Sequence, residues 1–434
     1  MEKLRKKIES KRALVGVVGL GYVGLPLAVA FAKVGFRITG IDRSKSKVTT
    51  INTGKSDVED VASSIVAALV GSKNLTATNT YAAIQKLDVV VICVPTPLSK
   101  TKDPDVSYIL SAVNGIKKHL RPGHLIILES TTYPGTTEEL ILPILETTGL
   151  KVGQDFFLAF SPERIDPGNK TYGVKNTPKV VGGITDKCTQ MAKLFYEQTV
   201  SEVIDVSSSQ SAEVVKLVEN TFRSVNIGMV NEVALMCDRL GIDVWEVIDA
   251  AATKPFGYMP FYPGPGLGGH CIPIDPHYLS WKLRTLNYRA RFIELAGDIN
   301  ANMPDYVIRK VNDALNLHHK SINGSRILIL GVAYKRDISD VRESPALDVI
   351  KLLQEKGAQI QYNDPRVPKI SLDKGSMSSV ELDVKLLNQM DCVVIITDHS
   401  DYDYQWIADN VQCAVDTRNA TKGVVSSKGK IVKL

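Results

Sequence analysis

Ala13-Leu-Val-Gly-Val-Val-Gly19-Leu-Gly21-Tyr-Val-Gly24 joins a short apolar run to three glycines at Gly-x-Gly-x-x-Gly spacing. A helical pattern follows over 25–34, and a second apolar run, 36–41, ends at Asp42. Strand, glycine turn, helix and an acidic residue about 20 residues further on are typical of a dinucleotide-binding βαβ unit. The alternative is a glycine turn with a purely structural role. We predict a dinucleotide site.

Each residue of this segment has an expected task. Gly19 permits the tight turn, Gly21 lets the backbone approach a pyrophosphate, and Gly24 allows close helix packing. Asp42 would accept hydrogen bonds from ribose hydroxyls and repel a 2′-phosphate, which favours NAD over NADP; Arg43 weakens that preference slightly. The predicted cofactor contacts here are Gly19, Gly21, Tyr22, Val23, Gly24, Asp42 and Arg43.

Further strand-like runs indicate a doubly wound α/β domain in the first 200 residues or so. They cover 88–94, 125–128, 156–160 and 179–182. Ligands of such sheets bind at the carboxyl ends of the strands. Polar motifs occur at three of those ends, Pro95-Thr-Pro97, Glu129-Ser-Thr-Thr132 and Ser161-Pro-Glu-Arg164. We therefore predict one cleft lined by Thr96, Ser130, Thr131 and Glu163.

Apolar residues then recur at helical spacing over 211–240, which predicts a long helix suited to a spine between domains. Lys216 and Asn220 share a face of it, four residues apart. A shorter helix capped by Asp243 and a helical segment over about 278–317 follow. Strands and helices restart at Arg326. The predicted architecture is two Rossmann-like doubly wound domains joined by a long central helix, with domains at 1–206, 207–318 and 319–434.

The run Pro263-Gly-Pro-Gly-Leu-Gly-Gly-His-Cys-Ile-Pro-Ile-Asp-Pro-His277 has the composition of an active-site loop. Its glycines let backbone N–H groups approach a ligand, and its prolines stiffen it. Folding gains little from a thiol in such a loop, so Cys271 is predicted to be reactive, with Asp275 sharing its pocket. The alternative is a surface loop with an incidental cysteine and histidine.

The second α/β pattern lacks a glycine fingerprint, so we expect no second dinucleotide there. Basic residues cluster instead at its predicted strand ends, and their charge suits a nucleoside diphosphate. They are Lys335, Arg336, Arg342 and Arg418.

Composition narrows the function classes. The 434 residues are 44% hydrophobic and 23% charged, as in globular proteins, and no apolar run approaches the roughly 18 residues of a membrane span. We expect a cytoplasmic enzyme without a signal peptide or membrane association. The net charge of +5 is dispersed, which argues against nucleic acid. The six cysteines include no Cys-x-x-Cys pair, so neither a disulfide framework nor a metal site is predicted.

Taken in order, these motifs resemble those of the UDP-glucose/GDP-mannose dehydrogenase family over nearly the whole chain. The motifs are Gly19–Gly24, 129–135, 161–164, Lys216 with Asn220, 266–275 and 335–343. The wording Ser-Pro-Glu-Arg-Ile-Asp-Pro-Gly, the segment 129–137 and the segment 256–264 with Tyr258 look most like the UDP-N-acetylglucosamine 6-dehydrogenases. The resemblance implies a four-electron oxidation of carbon 6 of a UDP-sugar with NAD, for surface polysaccharide synthesis, by a homodimer paired through the long helix.

The resemblance also implies roles for individual residues. Cys271 would carry the substrate as a thiohemiacetal and then a thioester. Lys216 would stabilise negative charge on the sugar oxygen, with Asn220 as a second donor and Asp275 assisting through an ordered water. Glu163, with Thr131, would activate the hydrolytic water. Asp42, Thr96, Ser130, Thr131 and Arg342 would contact NAD. The UDP-sugar would be held by Glu163, Arg164, Lys216, Asn220, Tyr258, Tyr262, Gly264, Gly266, Gly268, Lys335, Arg336 and Arg418.

Three alternatives stay open. Another hexose, N-acetylmannosamine or glucose, could be the substrate. Glucose is disfavoured, because Pro167 replaces a carboxylate of the glucose-specific relatives. A two-electron dehydrogenase of the β-hydroxyacid type would share the first domain without needing the thiol. A nucleotide-sugar binding or regulatory protein would keep the cleft without the chemistry, but intact Cys271, Lys216, Glu163 and Asp275 argue against it.

Overall fold

The computed structural model of the protein describes residues 1–58, 60–99, 103–165, 171–269, 271–373, 375–425 and 430–434. These residues form two compact units. The first comprises 1–219 and 277–288, and the second comprises 220–276 and 289–434. The division into three domains stays a prediction.

The first unit is built on one eight-stranded sheet. Its strands are β1 Leu14–Val18, β2 Arg37–Ile41, β3 Leu75–Thr78, β4 Val89–Ile92, β5 Leu125–Leu128, β6 Phe157–Phe160, β7 Lys179–Gly183 and β8 Val203–Asp205. Its helices are α1 Glu2–Glu9, α2 Gly24–Lys33, α3 Lys45–Asn52, α4 Ser63–Gly71, α5 Ser107–Lys117, α6 Leu142–Glu146 and α7 Asp186–Tyr196, with a 3₁₀ helix at Tyr81–Lys86 and a π-helix at Thr136–Ile141. The order β3-β2-β1-β4-β5-β6 is that of a Rossmann sheet; β7 and β8 extend it, and β6 and β7 pair antiparallel.

The central strands of this sheet are buried on both faces. Val89 and Val91 of β4 contribute to one hydrophobic core, while Val90 and Ile92 contribute to a second core on the other face. β5 repeats this alternation. Successive side chains of a strand point to opposite faces, so a strand covered on both sides has to be apolar throughout. The predicted doubly wound arrangement is confirmed.

The second unit contains a five-stranded parallel sheet and a β-hairpin. Its strands are β9 Arg326–Leu330, β10 Gln359–Asn363, β11 Lys369–Leu372, β12 Gly375–Ser378, β13 Cys392–Ile395, β14 Cys413–Asp416 and β15 Lys430–Lys433. The remaining helices are α8 Ser209–Leu240, α9 Val244–Ala252, α10 Asp275–Thr285, α11 Arg291–Ala301, α12 Met303–Asn316, α13 Pro345–Glu355, α14 Val384–Gln389 and α15 Tyr404–Asn410; α8 and α10 have residues in both units. The order β10-β9-β13-β14-β15 is the second common doubly wound order.

Two helical regions differ from the sequence prediction. The segment predicted over about 278–317 is divided into α10, α11 and α12, because Asn287 adopts φ 57° after the first and Pro304 lies in the first turn of the third. α1 was not predicted, since its sequence is mostly charged. Its apolar residues Leu4 and Ile8, one turn apart, are buried in the first unit's core.

The predicted helix cap at Asp243 is present, since its carboxylate accepts from the Trp245 amide at 2.8 Å ahead of α9. Ser344 caps α13 in the same way, accepting from the Ala346 amide at 3.3 Å. Within the described ranges, no helix is both long enough and apolar enough to cross a lipid bilayer.

Candidate active site

The glycine loop between β1 and α2 has the geometry of a dinucleotide cradle. Gly19 adopts φ +89°, and a Cβ there would lie 2.5 Å from the Cys93 carbonyl oxygen. A Cβ on Gly24 would lie 1.8 Å from the Gly19 carbonyl oxygen, so neither position accepts a side chain. A Cβ on Gly21 would meet no described atom within 4 Å, which leaves the loop backbone open to a ligand.

Asp42 is fixed beside this loop at the end of β2. Its carboxylate accepts from the Leu20 amide at 3.0 Å and from the Ser44 amide at 2.9 Å. The carboxylate oxygens keep further lone pairs for ribose hydroxyls. Tyr22 is half exposed in the loop, and the exposed Arg43 guanidinium lies 5.4 Å from the centre of the Tyr108 ring. Val23 packs against the first unit's core and is the N-cap of α2. The loop and Asp42 therefore fit an adenine dinucleotide.

Asp42 also supports a prediction about cofactor choice. We expect NAD to exceed NADP by about a hundredfold in kcat/KM, because placing like charges together at an interface costs several kcal/mol. Asp42→Ala should narrow that ratio to about tenfold or less. Steady-state kinetics with both cofactors measure it. Equal efficiency of the wild type with NAD and NADP would contradict the role of Asp42.

The polar motifs of the first unit lie at neighbouring strand ends, since β4, β5 and β6 are adjacent in the sheet. Thr96 is buried, and its carbonyl accepts from the Tyr278 hydroxyl at 2.6 Å. The buried Ser130 hydroxyl donates to the Val94 carbonyl at 2.8 Å. Thr131 is half-buried, and among the described residues its hydroxyl makes no hydrogen bond. The structure thus leaves the Thr131 hydroxyl available to a ligand.

Glu163 follows β6 and is held from two sides. Its Oε1 accepts from the amides of Arg164 and Ile165, each at 2.8 Å, and its Oε2 lies 3.2 Å from the Lys179 ammonium. Burial by itself raises the pKa of Glu163, but the Lys179 charge and the two amides outweigh it and hold the pKa below its usual range. Glu163 is therefore a carboxylate near neutral pH, as a general base must be.

Arg164, predicted to bind substrate, already has protein partners. Its guanidinium donates to the Pro178 carbonyl at 2.6 Å and pairs with Glu219 of α8 at 2.6 Å. These partners could not be predicted from the sequence, because they depend on the packing of the chain. Pro167, four residues beyond Glu163, lies outside the described residues.

Lys216 lies on α8 and is only 8% exposed. Among the described residues, its ammonium has no hydrogen-bond or ion-pair partner. Burying an unpaired charge costs free energy, so such a group is typical of a site for a ligand's negative charge. One turn earlier, Glu213 accepts from the amides of Gly135 and Thr137 at 2.5 and 2.9 Å, which fixes the loop after β5 to the helix of Lys216. The sequence analysis missed Glu213.

In the second unit, the glycine loop before Cys271 is held by a buried polar chain. The Gly264 amide donates to Asn231 at 2.9 Å, Asn231 donates to Asn300 at 2.8 Å, and Asn300 donates to the Ser224 carbonyl at 3.2 Å. Asn231 and Asn300 are buried. Because every link satisfies a buried polar group, the chain fixes the start of the loop.

The glycines of this loop are required by close packing. A Cβ on Gly264 would lie 2.5 Å from the Arg418 guanidinium, and one on Gly268 would lie 2.6 Å from the Cβ of Tyr334. Gly266 adopts φ +134°, which disfavours a side chain. The Gly269 amide donates to the Arg342 carbonyl at 3.0 Å. His270 lies outside the described residues.

Cys271 is exposed, and its carbonyl accepts from the amides of Ile274 and Asp275 at 3.1 and 2.8 Å. This turn leads directly into α10. Asp275 is buried and accepts a short hydrogen bond from the side-chain amide of Asn220. The structure therefore brings together Asn220 and Asp275, which are 55 residues apart, and presents the thiol four residues before that pair.

The predicted phosphate-binding residues differ in their surroundings. Exposed Arg336 pairs with Asp398 at 3.2 Å, and exposed Arg342 pairs with Asp340 at 2.6 Å. Arg418 donates to the Ile396 carbonyl at 3.0 Å, and burial lowers the pKa of its guanidinium from the ordinary value. Lys335 is half-buried after β9. The sequence shows the basic cluster but not the carboxylates that partly neutralise it.

The predicted sugar-binding tyrosines lie between α9 and the glycine loop. Tyr258 is half-buried, whereas Tyr262 is half exposed and stacks on Trp245, with ring centres 6.1 Å apart. The Tyr262 hydroxyl lies 3.4 Å from Asp249. Tyr262 is thereby held as a rigid aromatic surface beside the loop.

Three family models match this chain, and together they cover most of it. The NAD binding domain of the UDP-glucose/GDP-mannose dehydrogenase family matches residues 13–200, the central domain matches 210–302, and the UDP binding domain matches 328–423.

Individual relatives agree with these matches. A UDP-N-acetyl-D-mannosamine dehydrogenase of Methanococcus maripaludis is 37% identical over 88% of this chain and 85% of its own length. A UDP-N-acetyl-D-glucosamine 6-dehydrogenase of Pseudomonas aeruginosa is 37% identical over 81% of this chain and 83% of its own length. The solved UDP-D-ManNAc dehydrogenase of Pyrococcus horikoshii superposes with a TM-score of 0.89 at 32% identity, covering 96% of this chain and 98% of that one. The chain belongs to the UDP-glucose/GDP-mannose dehydrogenase family, and it is an NAD-dependent UDP-sugar dehydrogenase.

Proposed function

We propose that the protein oxidises the carbon 6 hydroxymethyl group of UDP-N-acetylglucosamine to a carboxylate, in two oxidation steps on one site, for surface polysaccharide synthesis. The observation that carries this proposal is the exposed Cys271 in a loop fixed by buried contacts, next to the Asn220–Asp275 pair. Taking an alcohol to a carboxylate removes four electrons. Each NAD accepts one hydride, which carries two electrons, so two NAD molecules are needed in succession. The aldehyde formed midway therefore has to stay on the enzyme.

Cys271 would retain that aldehyde. Its Sγ adds to the aldehyde carbon to form a thiohemiacetal, the second oxidation converts this adduct to a thioester, and water cleaves the C–S bond to release the acid and the thiol. Lys216 would donate to the sugar oxygen as negative charge develops on it, because its side chain is largely buried and its ammonium has no hydrogen-bond or ion-pair partner among the described residues. Asn220 uses one N–H on Asp275, which leaves its second N–H for the same oxygen.

Glu163 would take the proton of the hydrolytic water. It is an ionised carboxylate at the end of β6, and the open hydroxyl of Thr131 follows the adjacent strand β5. A carboxylate that accepts the water proton makes the oxygen more nucleophilic toward the thioester carbon. We assign Glu163 as general base and Thr131 as the residue that orients the water.

The remaining assignments concern binding. Gly19, Gly21, Gly24 and Asp42 would hold the dinucleotide, with Tyr22, Val23, Arg43, Thr96, Ser130 and Arg342 as further contacts. The UDP group would be held by Lys335, Arg336 and Arg418 and by the loop 262–268. Arg336 would exchange part of its ion pair with Asp398 for phosphate oxygens.

The second candidate substrate is UDP-N-acetylmannosamine. It is supported by the names of similar proteins, the relative from Methanococcus maripaludis and the structure from Pyrococcus horikoshii. Incubating the protein with NAD and, separately, UDP-N-acetylglucosamine, UDP-N-acetylmannosamine and UDP-glucose, while following NADH, tests the choice. We expect the highest kcat/KM with UDP-N-acetylglucosamine. A higher value with the mannosamine sugar would replace our assignment, and no NADH with any of the three would overturn the function.

We also propose that the protein is a homodimer paired through α8. An apolar stripe runs along this helix at spacings of four and seven residues, and its members are between 48% and 72% exposed. They are Val218, Phe222, Met229, Met236 and Leu240. Residues at these spacings share one helix face, and an exposed contiguous apolar face is typical of an interface.

Light scattering tests this interface. We expect a dimer mass at micromolar concentration, and we expect Phe222→Glu combined with Met229→Glu to give a monomer, because two buried carboxylates cannot pair across the interface. Arg223→Glu, also exposed but on another face of α8, is the control and should stay dimeric. A stable wild-type monomer would contradict the proposal.

A further inference from the structure

Glu163 belongs to a buried cluster of four polar side chains contributed by successive elements of the first unit. Glu129 follows β5, Glu163 follows β6, Lys179 begins β7 and Tyr196 ends α7. The Lys179 ammonium lies 3.0 Å from Glu129 Oε2 and 3.2 Å from Glu163 Oε2. The Tyr196 hydroxyl donates a short hydrogen bond to the other oxygen of Glu129.

Solvent exposure within the cluster is small. Lys179 is 6% exposed, Glu129 is 1% exposed and Tyr196 is fully buried. Taking a lysine and two carboxylates out of water is expensive, and a well-packed apolar pair is often as stable as a buried ion pair. Stability alone therefore does not account for this arrangement. Its contact with the proposed general base supplies a chemical reason.

The cluster contains one cation and two carboxyl groups. The surroundings of the two carboxyl groups shift their pKa values in opposite directions. Burial raises the pKa of Glu129 to about 7, although the Lys179 charge opposes that rise. The pKa of Glu163 lies below its usual range, because Lys179 and two backbone amides outweigh its burial. Two neighbouring carboxyls with pKa values displaced in opposite directions are typical of acid–base sites. One stays ionised while the other can hold a proton.

We infer that Lys179 is a positioning residue for Glu163. Its ammonium keeps the general base ionised and oriented, while Glu129, which accepts a hydrogen bond from Tyr196, holds Lys179 in place. This inference rests on the proposed function, in which Glu163 takes a proton from the hydrolytic water. The sequence analysis assigned no role to Lys179, Glu129 or Tyr196.

Titratable groups from several elements face the cluster. They are Cys93 after β4, Glu129 after β5, Glu163 after β6, Lys179 in β7 and Tyr196 in α7. Arg164, next to Glu163 in the chain, is paired with Glu219. Burial raises the pKa of the Cys93 thiol and of the Tyr196 hydroxyl well above their ordinary values, so both stay neutral near pH 7. Lys179 is therefore the cation that lowers the pKa of Glu163.

Removing the Lys179 charge raises the pKa of Glu163, so the base becomes protonated at a higher pH. The acidic limb of the pH profile of hydrolysis therefore moves to higher pH. An adjacent opposite charge typically moves a carboxyl pKa by about one to three units. We expect Lys179→Met to move the acidic limb up by about one unit or more.

Two further variants keep the test decisive if Lys179→Met fails to fold. Lys179→Arg retains the charge and should restore the wild-type limb. The double variant Glu129→Gln with Lys179→Met leaves no unpaired charge at the Glu129 position, so it should fold. Its acidic limb should still lie at a higher pH than that of the wild type. Lys193→Met is the matched control, since Lys193 is a half-buried lysine of α7 paired with Asp205 at 2.7 Å, and it should leave the limb unchanged.

The readouts are the pH profile of UDP-uronic acid release and the intact mass of the protein during turnover. In the double variant, at a pH below its shifted acidic limb, we expect a covalent adduct on Cys271 to accumulate. The first burst of NADH should stay within about threefold of wild type, because Glu163 is needed only in hydrolysis. A double variant with the wild-type pH profile and no adduct would overturn the role of Lys179 but would leave the proposed function unaffected. Wild-type protein that forms one NADH per sugar would overturn the proposed function and this inference with it.

Discussion

Replacing Cys271 by serine is expected to lower steady-state turnover by roughly a thousandfold or more, the scale seen when a catalytic nucleophile is removed. Only the thiolate or alkoxide form attacks an aldehyde carbon, and an alkoxide forms far less readily than a thiolate near neutral pH. Binding should change little, because Cys271 is an exposed side chain in a loop fixed by backbone contacts of its glycines.

The measurement is NADH formation under saturating substrate, with binding of the UDP-sugar followed separately by calorimetry. Cys237→Ser is the matched control, since it exchanges the same atoms at a buried site in α8. We expect that variant to lose thermal stability but to keep turnover per folded molecule. Undiminished turnover by Cys271→Ala would contradict a covalent role for the thiol.

Glu163→Gln is expected to slow hydrolysis of the thioester by about a hundredfold to ten-thousandfold, the usual contribution of a general base. The amide keeps the shape of the side chain but cannot accept the water proton. The steps before hydrolysis should proceed, so the enzyme should stop with the acyl group on Cys271. Intact-protein mass spectrometry should show the added mass, and peptide mapping should place it on the peptide containing Cys271.

Glu138→Gln is the control for this substitution, because Glu138 is an exposed carboxylate elsewhere in the first unit. It should show wild-type turnover and no adduct. Full hydrolysis rates in Glu163→Gln, with no adduct at any time, would reassign the base to another residue.

The sequence predicted those parts of the fold that depend on local patterns. Gly19 is required by its positive φ and Gly24 by its contact with the Gly19 carbonyl, both within one βαβ unit. The apolar strands alternate between two cores because both faces are covered. The bounds of the strands that were predicted agree to within about two residues, the usual uncertainty at element ends. The short strands β3 and β8 were not predicted. α1 escaped prediction because charged residues surround its two buried apolar positions.

Partners that the chain brings together over long separations could not be predicted in this way. Lys179 meets Glu129 across 50 residues, and Glu213 meets Gly135 across 78. A lysine at the start of an apolar strand is normally expected to be solvated, and only tertiary packing shows that Lys179 lies between two carboxylates. The motif spacing identified the reactive groups, whereas their ionisation depends on contacts that the sequence does not display.

The number of NADH molecules formed per sugar distinguishes oxidation through a thioester from a two-electron oxidation. NADH formed and UDP-sugar consumed should be counted in the same reaction mixture, with the product identified by mass and any free aldehyde trapped. We expect two NADH for each sugar, a UDP-uronic acid as product and no trapped aldehyde. One NADH for each sugar, with an aldehyde or ketone as product, would contradict oxidation through a thioester on Cys271.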